Sequence, residues 1–501
     1  MTMVYSDYSK DRIGWFFGLS AWKLAVLVAA GAPMVVALRD QRWVLLLGWA
    51  AGWALLLFLV AVPIAGRSST SWLAAVVRFG LGRAFGWTSW RSRAATGVRV
   101  ESADLPGVLA GIEVHDGPPT GPSNTRVAII QDHAAGTWAA TAAIVHPGLA
   151  LADPAERARH GAGLTALLNA CARTEKISEV LFVIRSAPED GAEREQWLHA
   201  HTRATAPPLA RTINEQLAQT LSRAGLATEL YMTIVATEAR LARDAREFGS
   251  GIDGRARALG ILMAEVETQL RDGLQMTEVT WLTSPQLATA VRTGFAPGDR
   301  PGIIAALAEH LASESVNADV PWALAGPSGA QPQIRSYRHD AWASVSSTVR
   351  LPARGAVIGA LMPVITPTEP GERRSLLIAY PIVSRSAAEH QTQTGEFSAD
   401  MAESLKARMG MKTRAKERQN AATTRRLDAK LASGDALIRP YAVATVTVPE
   451  TSNAAEFGRR LDASIRRAGF VPQRLDIAHD AGFAASSIPL GISLARTGNR
   501  R

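Results

Sequence analysis

The sequence predicts an α+β fold, with an N-terminal two-helix transmembrane hairpin followed by cytoplasmic α/β sandwich-type domains. Two observations lead to this prediction. Two long apolar runs lie within the first 66 of 501 residues. After residue 100, strand-like runs rich in β-branched residues alternate with runs that have helical spacing and helix-capping residues, as in folds that layer helices on a sheet.

The apolar runs predict two membrane spans. Residues 44–65 carry no charge, and a helix of that length, rising about 1.5 Å per residue, covers roughly the 30 Å of a bilayer core. Residues 18–38 contain only Lys23 as a charge, and Pro33 as a kink site. A cleaved signal peptide fits less well, because the first run lacks a small-residue cleavage site and a second span follows at once.

The charges around these runs predict orientation. Arginines are frequent and acidic residues absent between Gln41 and Val100, so the positive-inside rule places both termini in the cytoplasm of a two-pass inner (cell) membrane protein. The one cysteine, Cys171, fits a reducing compartment, excludes an internal disulfide and is expected to be inert packing. The predicted membrane-interface residues are Trp43, Arg67, Trp72, Arg78, Arg83, Trp87 and Arg91.

The predicted organisation has five parts. Residues 1–66 are the tail and hairpin, and residues 67–100 are a basic amphipathic segment that either lies along the inner leaflet or packs on the soluble part. Residues 101–300 form a first cytoplasmic α+β domain, 301–332 a linker, and 333–501 a second α+β domain. The second domain carries a long basic helical insertion at about 386–433. The order of elements in the two domains is loosely similar, which suggests two related halves.

Local sequence signals predict individual strands and helices. Residues 125–132 and 137–145 are strand-like runs joined by four residues, which predicts a hairpin. Asp153 and Pro154 predict a helix that starts there, because Asp is a good N-cap and Pro suits the first helical position. Ser284 and Pro285 predict the start of another helix, with Gly294 near its end.

The sequence indicates no catalytic centre, cofactor or metal. It has no Walker A phosphate loop, no dinucleotide fingerprint, no HExxH and no nucleophile elbow. Asp132, His133 and His146 flank one predicted strand, and His199 and His201 lie on one side of another segment, but neither group has a third ligand at usable spacing. We therefore predict that the chain is not an enzyme.

The net charge of +9 suggests a polyanionic neighbour, either a phospholipid surface or nucleic acid. A basic helical run at 406–430 could follow a phosphate backbone, although interspersed acidic residues dilute its field and a solvated or partner-facing helix is commoner. The candidate polyanion-binding residues are Lys406, Arg408, Lys412, Arg414, Lys416 and Arg418.

Several motifs resemble a known family. They include WRSRAATG (90–97), DLPGVLAGIEVHDGPP (104–119), VAIIQDHAAGTWAATAAIVHPG (127–148), VRTGFAPGDR (291–300) and FAASSIPLGISL (483–494). Together with YSDYSKDRIGWFFGLS and GIDGRARAL, they are similar to a family of membrane proteins of high-GC Gram-positive bacteria, encoded beside conjugation-like type IV secretion components. The order of elements after residue 100 resembles the non-motor N-terminal region of VirB-type conjugation ATPases. This sequence stops where a motor domain would begin.

The resemblance implies a membrane-anchored subunit of a secretion or conjugative DNA-transfer apparatus, without catalytic activity, that docks a separate motor ATPase. The implied partners are that ATPase, other membrane subunits and lipids, in a hetero-oligomeric complex. Two alternatives remain: the E component of a type VII secretion system, and a membrane-bound enzyme such as a transferase. A cleft that gathers Asp132, His133 and His146 would favour the enzyme.

Overall fold

The computed structural model describes residues 21–61, 63–64, 67–100, 102–122, 124–148, 152–188, 191–203, 205–224, 226–313, 317–350, 359–369, 371–384 and 435–495. The chain divides into two compact units. The sheet unit takes in the described residues of Thr88–Ser384 and Ala436–Arg501, and the N-terminal unit those of Ser6–Trp87 and Arg385–Asp435. Each unit is described separately.

The N-terminal unit contains helices α1 (Ala21–Arg39), α2 (Trp43–Ala61) and α3 (Ser69–Ala84), with the short paired strands β1 (Pro63–Ile64) and β2 (Arg67–Ser68) before α3. Arg39 ends α1, and Gln41 in the following turn has a positive φ. The indole N–H of Trp53 in α2 donates a hydrogen bond of 2.9 Å to the carbonyl oxygen of Leu27 in α1. These helices therefore contact each other.

The predicted transmembrane hairpin is wrong. Among the described residues, none of the helices combines the length and the apolar character needed to cross a membrane. α2 ends at Ala61, so the helix takes in only part of the uncharged run of residues 44–65, and α1 includes Lys23, Pro33 and Arg39. The predictions of an integral membrane protein and of a two-pass inner-membrane location are wrong for the same reason.

One antiparallel sheet of 13 strands dominates the sheet unit. In its main path the strands follow the order β3-β10-β11-β12-β14-β13-β7-β8-β6-β5-β4, while β15 pairs with β12 and β9 with β6. The first strands along the chain are β3 (Trp90–Arg91), β4 (Ile112–Thr120), β5 (Thr125–Asp132), β6 (Thr137–Val145), β7 (Ile177–Pro188), β8 (Leu226–Thr237) and β9 (Glu278–Trp281). The remaining strands are β10 (Gly329–Pro332), β11 (Tyr337–His339), β12 (Trp342–Arg350), β13 (Arg373–Pro381), β14 (Tyr441–Pro449) and β15 (Val471–Arg474).

Helices cover both faces of this sheet. They are α4 (Pro154–Arg173), α5 (Ala192–His201), α6 (Pro208–Ala224), α7 (Glu238–Ala245), α8 (Gly251–Asp272), α9 (Ser284–Phe295), α10 (Arg300–Ala312), α11 (Trp322–Ala325), α12 (Met362–Ile365), α13 (Ala454–Arg467) and α14 (His479–Ser487). On one face, α9 and α14 share a core with strands from both predicted domains. On the other face, α4 and α8 cover the first part of the sheet and α13 covers the second.

The strands bury both of their faces, which explains their almost continuous apolar sequences. In β7, Leu181 and Val183 face the core shared by α9 and α14, whereas Val180 and Phe182 face α4 and α8. This period of two is the one expected for a strand. Strand runs of this kind give little indication of which helix will cover which face.

The predicted pair of separate α/β sandwich-type domains is wrong. β13, from the second predicted domain, pairs antiparallel with β7, from the first, through eight positions from Arg374–Ser186 to Pro381–Glu179. A single sheet therefore runs through both sequence halves. The strands themselves are largely those expected, and the β5–β6 hairpin is confirmed.

The predicted cap of α4 is confirmed, whereas that of α9 is one residue earlier than predicted. The Asp153 carboxylate accepts a hydrogen bond of 2.7 Å from the backbone N–H of Glu156 at the start of α4. At α9 the N-cap is Thr283, one residue before the predicted start, and the Gln286 side chain accepts from the Thr283 backbone N–H at 3.0 Å. Both contacts satisfy backbone donors that a helix start leaves open.

Candidate functional site

The residues predicted for a membrane interface are mostly exposed. Trp43 begins α2, Arg78 and Arg83 lie on α3, and all three are exposed, while Trp72 on α3 is half-buried. Trp87 stacks on Phe85, with 5.2 Å between ring centroids. Arg67 lies in β2, and Arg91 is an exposed residue of β3 in the sheet unit. Their assignment to an interface depended on membrane spans that no helix of the described segments provides.

The six basic residues of 406–418 predicted to bind a polyanion lie outside the described residues, as does most of the insertion at 386–433. Contact of this stretch with nucleic acid therefore stays a prediction.

The acidic and histidine residues that would favour an enzyme do not come together. Asp132 pairs with Thr137 at the start of β6, whereas His146 follows Val145 at its end. Eight residue steps of a strand, at roughly 3.3 Å each, separate these ends by about 26 Å. His133 instead contacts Glu113, with Nε2 and Oε2 2.8 Å apart, and His146 accepts a 2.9 Å hydrogen bond from the Gly148 backbone N–H. Over the described ranges, no group of three or more His, Cys, Asp or Glu side chains could hold a metal ion.

A buried Ser–His pair has the geometry of a nucleophile and base but no access to solvent. His339 Nε2 lies 2.8 Å from Ser344 Oγ, and Nδ1 lies 2.8 Å from the Phe295 carbonyl oxygen. Because a carbonyl only accepts, Nδ1 carries the proton and Nε2 accepts from the serine hydroxyl. Burial lowers the pKa of His339 to about 3. Both side chains are fully enclosed, so the pair serves the packing of the core.

Three helices of the sheet unit carry large apolar side chains that are exposed. On α6, Leu209, Ile213 and Leu217 are 70%, 52% and 47% exposed, and their spacing of four residues places them on one helix face. Trp197 of α5 and Leu311 of α10 are exposed to 58% and 87%. We call α5, α6 and α10 with these five side chains the three-helix surface.

Polar contacts hold the three helices together. The Arg194 guanidinium of α5 donates to the carbonyl oxygens of Asn214 and Leu217 of α6, each at 3.4 Å. Arg300 at the start of α10 pairs with Glu193 of α5, with Nη2 and Oε1 2.7 Å apart. α5 thus contacts both α6 and α10 through polar groups.

A cleft lies where β7, β8 and β13 meet the start of α10. Its volume is about 180 Å³. Its charged lining residues are Arg185, Glu229, Arg300, Glu372 and Arg373, and Trp342, Gly298 and Gly371 complete its walls together with other small residues. We call it the arginine cleft.

Arg185 lies at the base of the arginine cleft, and all of its donors are used. Its Nε donates to Glu229 Oε2 at 2.8 Å, and Nη1 donates to the carbonyl oxygens of Ala290 and Ser487 at 2.7 and 3.2 Å. Nη2 reaches the Tyr231 hydroxyl at 2.9 Å. Burial alone would lower the pKa of Arg185, but the attraction and hydrogen bonds of Glu229 and Tyr231 together outweigh it and the pKa is raised. Arg185 therefore supplies fixed positive charge.

Arg373 differs from Arg185 in having an unused donor. It is 7% exposed, its Nη1 donates to the Thr293 carbonyl oxygen, and its buried Nε has no hydrogen-bond partner. Within the described residues no carboxylate forms a salt bridge with it. Burial and repulsion from Arg185 lower the pKa of Arg373 to about 10.

Both carboxylates of the cleft are paired with arginines. Glu372 pairs with Arg374 at 2.7 Å and accepts from the Thr368 hydroxyl at 2.8 Å. Glu229 pairs with Arg185, and 3.9 Å separates it from Arg300. Burial would raise the pKa of Glu229, but attraction to Arg185 and Arg373 lowers it, so this carboxylate is held ionised.

Sequence reasoning missed both the three-helix surface and the arginine cleft. A signal for the cleft exists, because Arg185 and Arg373 interrupt or begin strands that are otherwise apolar, and a charge in such a strand needs a partner. The leucine and isoleucine spacing of α6 is visible in the sequence as well. Neither pattern tells which residues of distant strands meet, or that the apolar face of α6 is left uncovered.

No family model matches the chain, and the curated proteins offer no match to its sequence. The family resemblance therefore depends on the quoted motifs. Of these, VRTGFAPGDR forms the end of α9 and the start of α10, and FAASSIPLGISL forms the buried end of α14 and the segment after it.

Proposed function

We propose that the chain is a non-catalytic scaffold subunit of a secretion or conjugative DNA-transfer apparatus, and that it docks a separate motor ATPase through the three-helix surface. The observation that carries the proposal is the exposed apolar face of α6, with Leu209, Ile213 and Leu217 in one row. A row of apolar side chains at helical spacing is a common way for a protein surface to bind a partner.

Two further features support a scaffold. The sheet has helices on both faces, so the unit that carries α5, α6 and α10 has a packed core of its own. The sequence also lacks a Walker A loop, and so it offers no phosphate loop of its own for ATP hydrolysis. The choice of an ATPase as partner follows from the resemblance to the non-motor region of conjugation ATPases.

The test is affinity purification of the tagged full-length chain from native cells, comparing Ile213→Asp with Ile261→Asp. Ile261 is a matched control because it is a 47% exposed isoleucine on α8, away from the three-helix surface. An aspartate in the centre of an apolar interface must be desolvated, so we expect Ile213→Asp to reduce recovery of a conjugation-type ATPase at least tenfold. Ile261→Asp should recover as much as the wild type.

Several outcomes would contradict the proposal. Equal recovery of the ATPase by both variants would exclude the three-helix surface. Co-purification of an FtsK-type motor with a ubiquitin-like membrane subunit would favour the E component of a type VII system instead. Hydrolysis of ATP by the purified chain alone would show that the subunit is catalytic.

A further inference from the structure

Two imidazoles meet where the end of β6 lies against the first half of α4. His146 directly follows β6 and is half-buried, whereas His160 of α4 is only 7% exposed. Their ring centroids are 5.0 Å apart, with 69° between the ring planes. The fold therefore places two titratable groups in direct contact between a strand end and a helix.

A hydrogen bond fixes the position of the proton on neutral His146. The Nδ1 atom accepts from the Gly148 backbone N–H at 2.9 Å, so the proton of the neutral ring is on Nε2. A second proton can bind only at Nδ1. It would turn the acceptor of this hydrogen bond into a donor, and the turn of residues 146–148 would lose the contact.

His160 disfavours charge in the same contact. Its buried Nδ1 has no hydrogen-bond partner, so a charged ring would leave a buried N–H without an acceptor, which costs free energy. Two positive charges on rings 5.0 Å apart would also repel each other. The contact is therefore formed by two neutral rings.

The charged groups nearby do not reverse this preference. Burial lowers the pKa of His146 most, and His160 lowers it further, while attraction to Glu156, one turn before His160 on α4, opposes them incompletely. Arg157 adds a positive charge next to Glu156, and Glu278 of β9 lies across from Val145 rather than from His146. The folded chain therefore holds His146 neutral at a pH where an unfolded chain already binds protons at this residue.

From this geometry we propose that His146 and His160 form a pH-sensitive switch, in which a proton taken up by His146 opens the contact between the end of β6 and α4. In the closed form both rings are neutral and Gly148 donates to His146. In the open form a proton from solvent occupies Nδ1 of His146, and the Gly148 N–H is released. The closed form excludes this proton, so it is favoured above pH 6.5, the ordinary histidine value, and the open form gains as the pH falls below it.

The opening is local because other contacts hold β6 in the sheet. β6 pairs with β8 from Thr137 to Ala143 and with β9 from Ala142 to Val145. The Val145 carbonyl oxygen also accepts from the Thr277 backbone N–H at 2.9 Å. None of these contacts involves an imidazole. The switch therefore changes the turn after β6 and the first turns of α4, and the sheet stays intact.

The test is hydrogen–deuterium exchange of the full-length chain at pH 7.5 and 5.5, corrected for the intrinsic pH dependence of exchange. The wild type is compared with His146→Gln and with the matched control His115→Gln. His115 is a half-buried histidine of β4 in the same sheet, and its Nε2 lies 2.9 Å from Gln131 Oε1. From pH 7.5 to 5.5, peptides with Gly148 or the first turns of α4 should gain at least fivefold more exchange in the wild type than in His146→Gln. His115→Gln should match the wild type.

Peptides of β14 report global unfolding and should show the same pH dependence in all three proteins. An equal gain around Gly148 in the wild type and His146→Gln would overturn the proposal, as would loss of that gain in His115→Gln. If His146→Gln does not fold, titration of the His146 ring by NMR decides. We expect a midpoint below pH 6.5 that rises in His160→Gln, and a wild-type midpoint at or above 6.5 would contradict the switch. Neither measurement depends on the docking of an ATPase.

Discussion

The buried arginines Arg185 of β7 and Arg373 of β13 differ in how completely their hydrogen-bond donors are satisfied. Arg185 spends its donors on Glu229, Tyr231 and the carbonyl oxygens of Ala290 and Ser487, and so ties two strands to α9 and α14. Arg373 has a donor left over. Breaking a buried pair costs more than the pair contributes to stability, because the remaining charge is left unpaired. Arg185 is therefore a structural residue of the cleft.

His339 gives a prediction about pH. Its folded-state pKa of about 3 lies below the ordinary histidine value of 6.5, so between these pH values the unfolded chain binds more protons than the folded one. The contribution of neutral His339 to the stability of the folded chain is complete above pH 6.5 and is lost as the pH falls toward 3. The free energy of unfolding should fall by up to about 1.4 kcal/mol per pH unit from this group.

The measurement is urea unfolding of the wild type and His339→Gln at pH 7.0, 6.0 and 5.0. The variant has no imidazole to protonate, so the stability of the wild type should fall more steeply than that of the variant. The comparison removes the contribution of carboxylates, which titrate in both proteins. Parallel pH profiles would show that His339 does not resist protonation in the folded chain.

The sequence predicts the environment of a single residue correctly where that environment is formed by residues nearby in the chain. The predicted inert packing of Cys171 agrees with its burial, which raises the pKa of the thiol to about 12. Its apolar neighbours at helical spacing are within one turn of the same helix. The hydrogen-bond partners of Arg185 lie 44 to 302 residues away in the sequence, and the partner of Arg373 lies 80 residues away. No local sequence pattern could therefore identify them.

Elements predicted from their own residues also formed. The α4 start at Asp153 and Pro154 and the β5–β6 hairpin required only neighbouring residues. The end of α2 was predicted too late, because a run of uncharged residues shows where a helix is permitted but not where it ends. Pro63 and Ile64, within that run, form the strand β1 instead.

The packing of α4 against α8 depends on a glycine. A methyl group added to Gly163 in α4 would overlap the backbone carbonyl of Gly273, just after the end of α8. We expect Gly163→Ala to destabilise the chain by about 1–3 kcal/mol, because the two backbones must move apart. The measurement is the midpoint of guanidinium unfolding.

Gly260→Ala is the matched control for this prediction. Gly260 lies within α8, and a methyl group added there meets nothing within 4 Å. Alanine is favoured over glycine in a helix interior by about 0.5–1 kcal/mol, so this variant should be as stable as the wild type or more stable. A stable Gly163→Ala variant would mean that α4 and α8 are not in close backbone contact.

At the scale of the whole molecule, the fold depends on pairing between distant parts of the sequence. The order of elements suggested two related halves, and local alternation of strands and helices is compatible with that arrangement. Alternation does not determine which strands become neighbours. The β7–β13 pairing joins residues 179–186 to 374–381, and Phe295 of α9 packs on Phe483 of α14 with ring centroids 5.3 Å apart. Long-range contacts of this kind leave no local sequence pattern.

The single sheet predicts that its two sequence halves do not fold separately. A fragment of residues 88–332 would leave one edge of β7 unpaired and would uncover the face of α9 that packs on α14. A fragment of residues 333–501 would expose the corresponding surfaces of β13 and α14. Exposed central strands and lost core burial favour aggregation or unfolding. We expect neither fragment to give a cooperative thermal transition by circular dichroism.

An internal deletion is the control that separates loss of sheet pairing from shortening of the chain. Val383 donates a backbone hydrogen bond of 3.0 Å to Leu437, and Ile382 bridges to Ile438, so the chain is close together on either side of residues 385–435. Replacing those residues with a short Gly/Ser linker should keep the cooperative transition, because the two ends to be joined are already close and closure entropy depends only weakly on the length of the connection. If residues 88–332 folded cooperatively alone, the sheet would consist of two independent domains, and the prediction that the two sequence halves need each other to fold would be wrong.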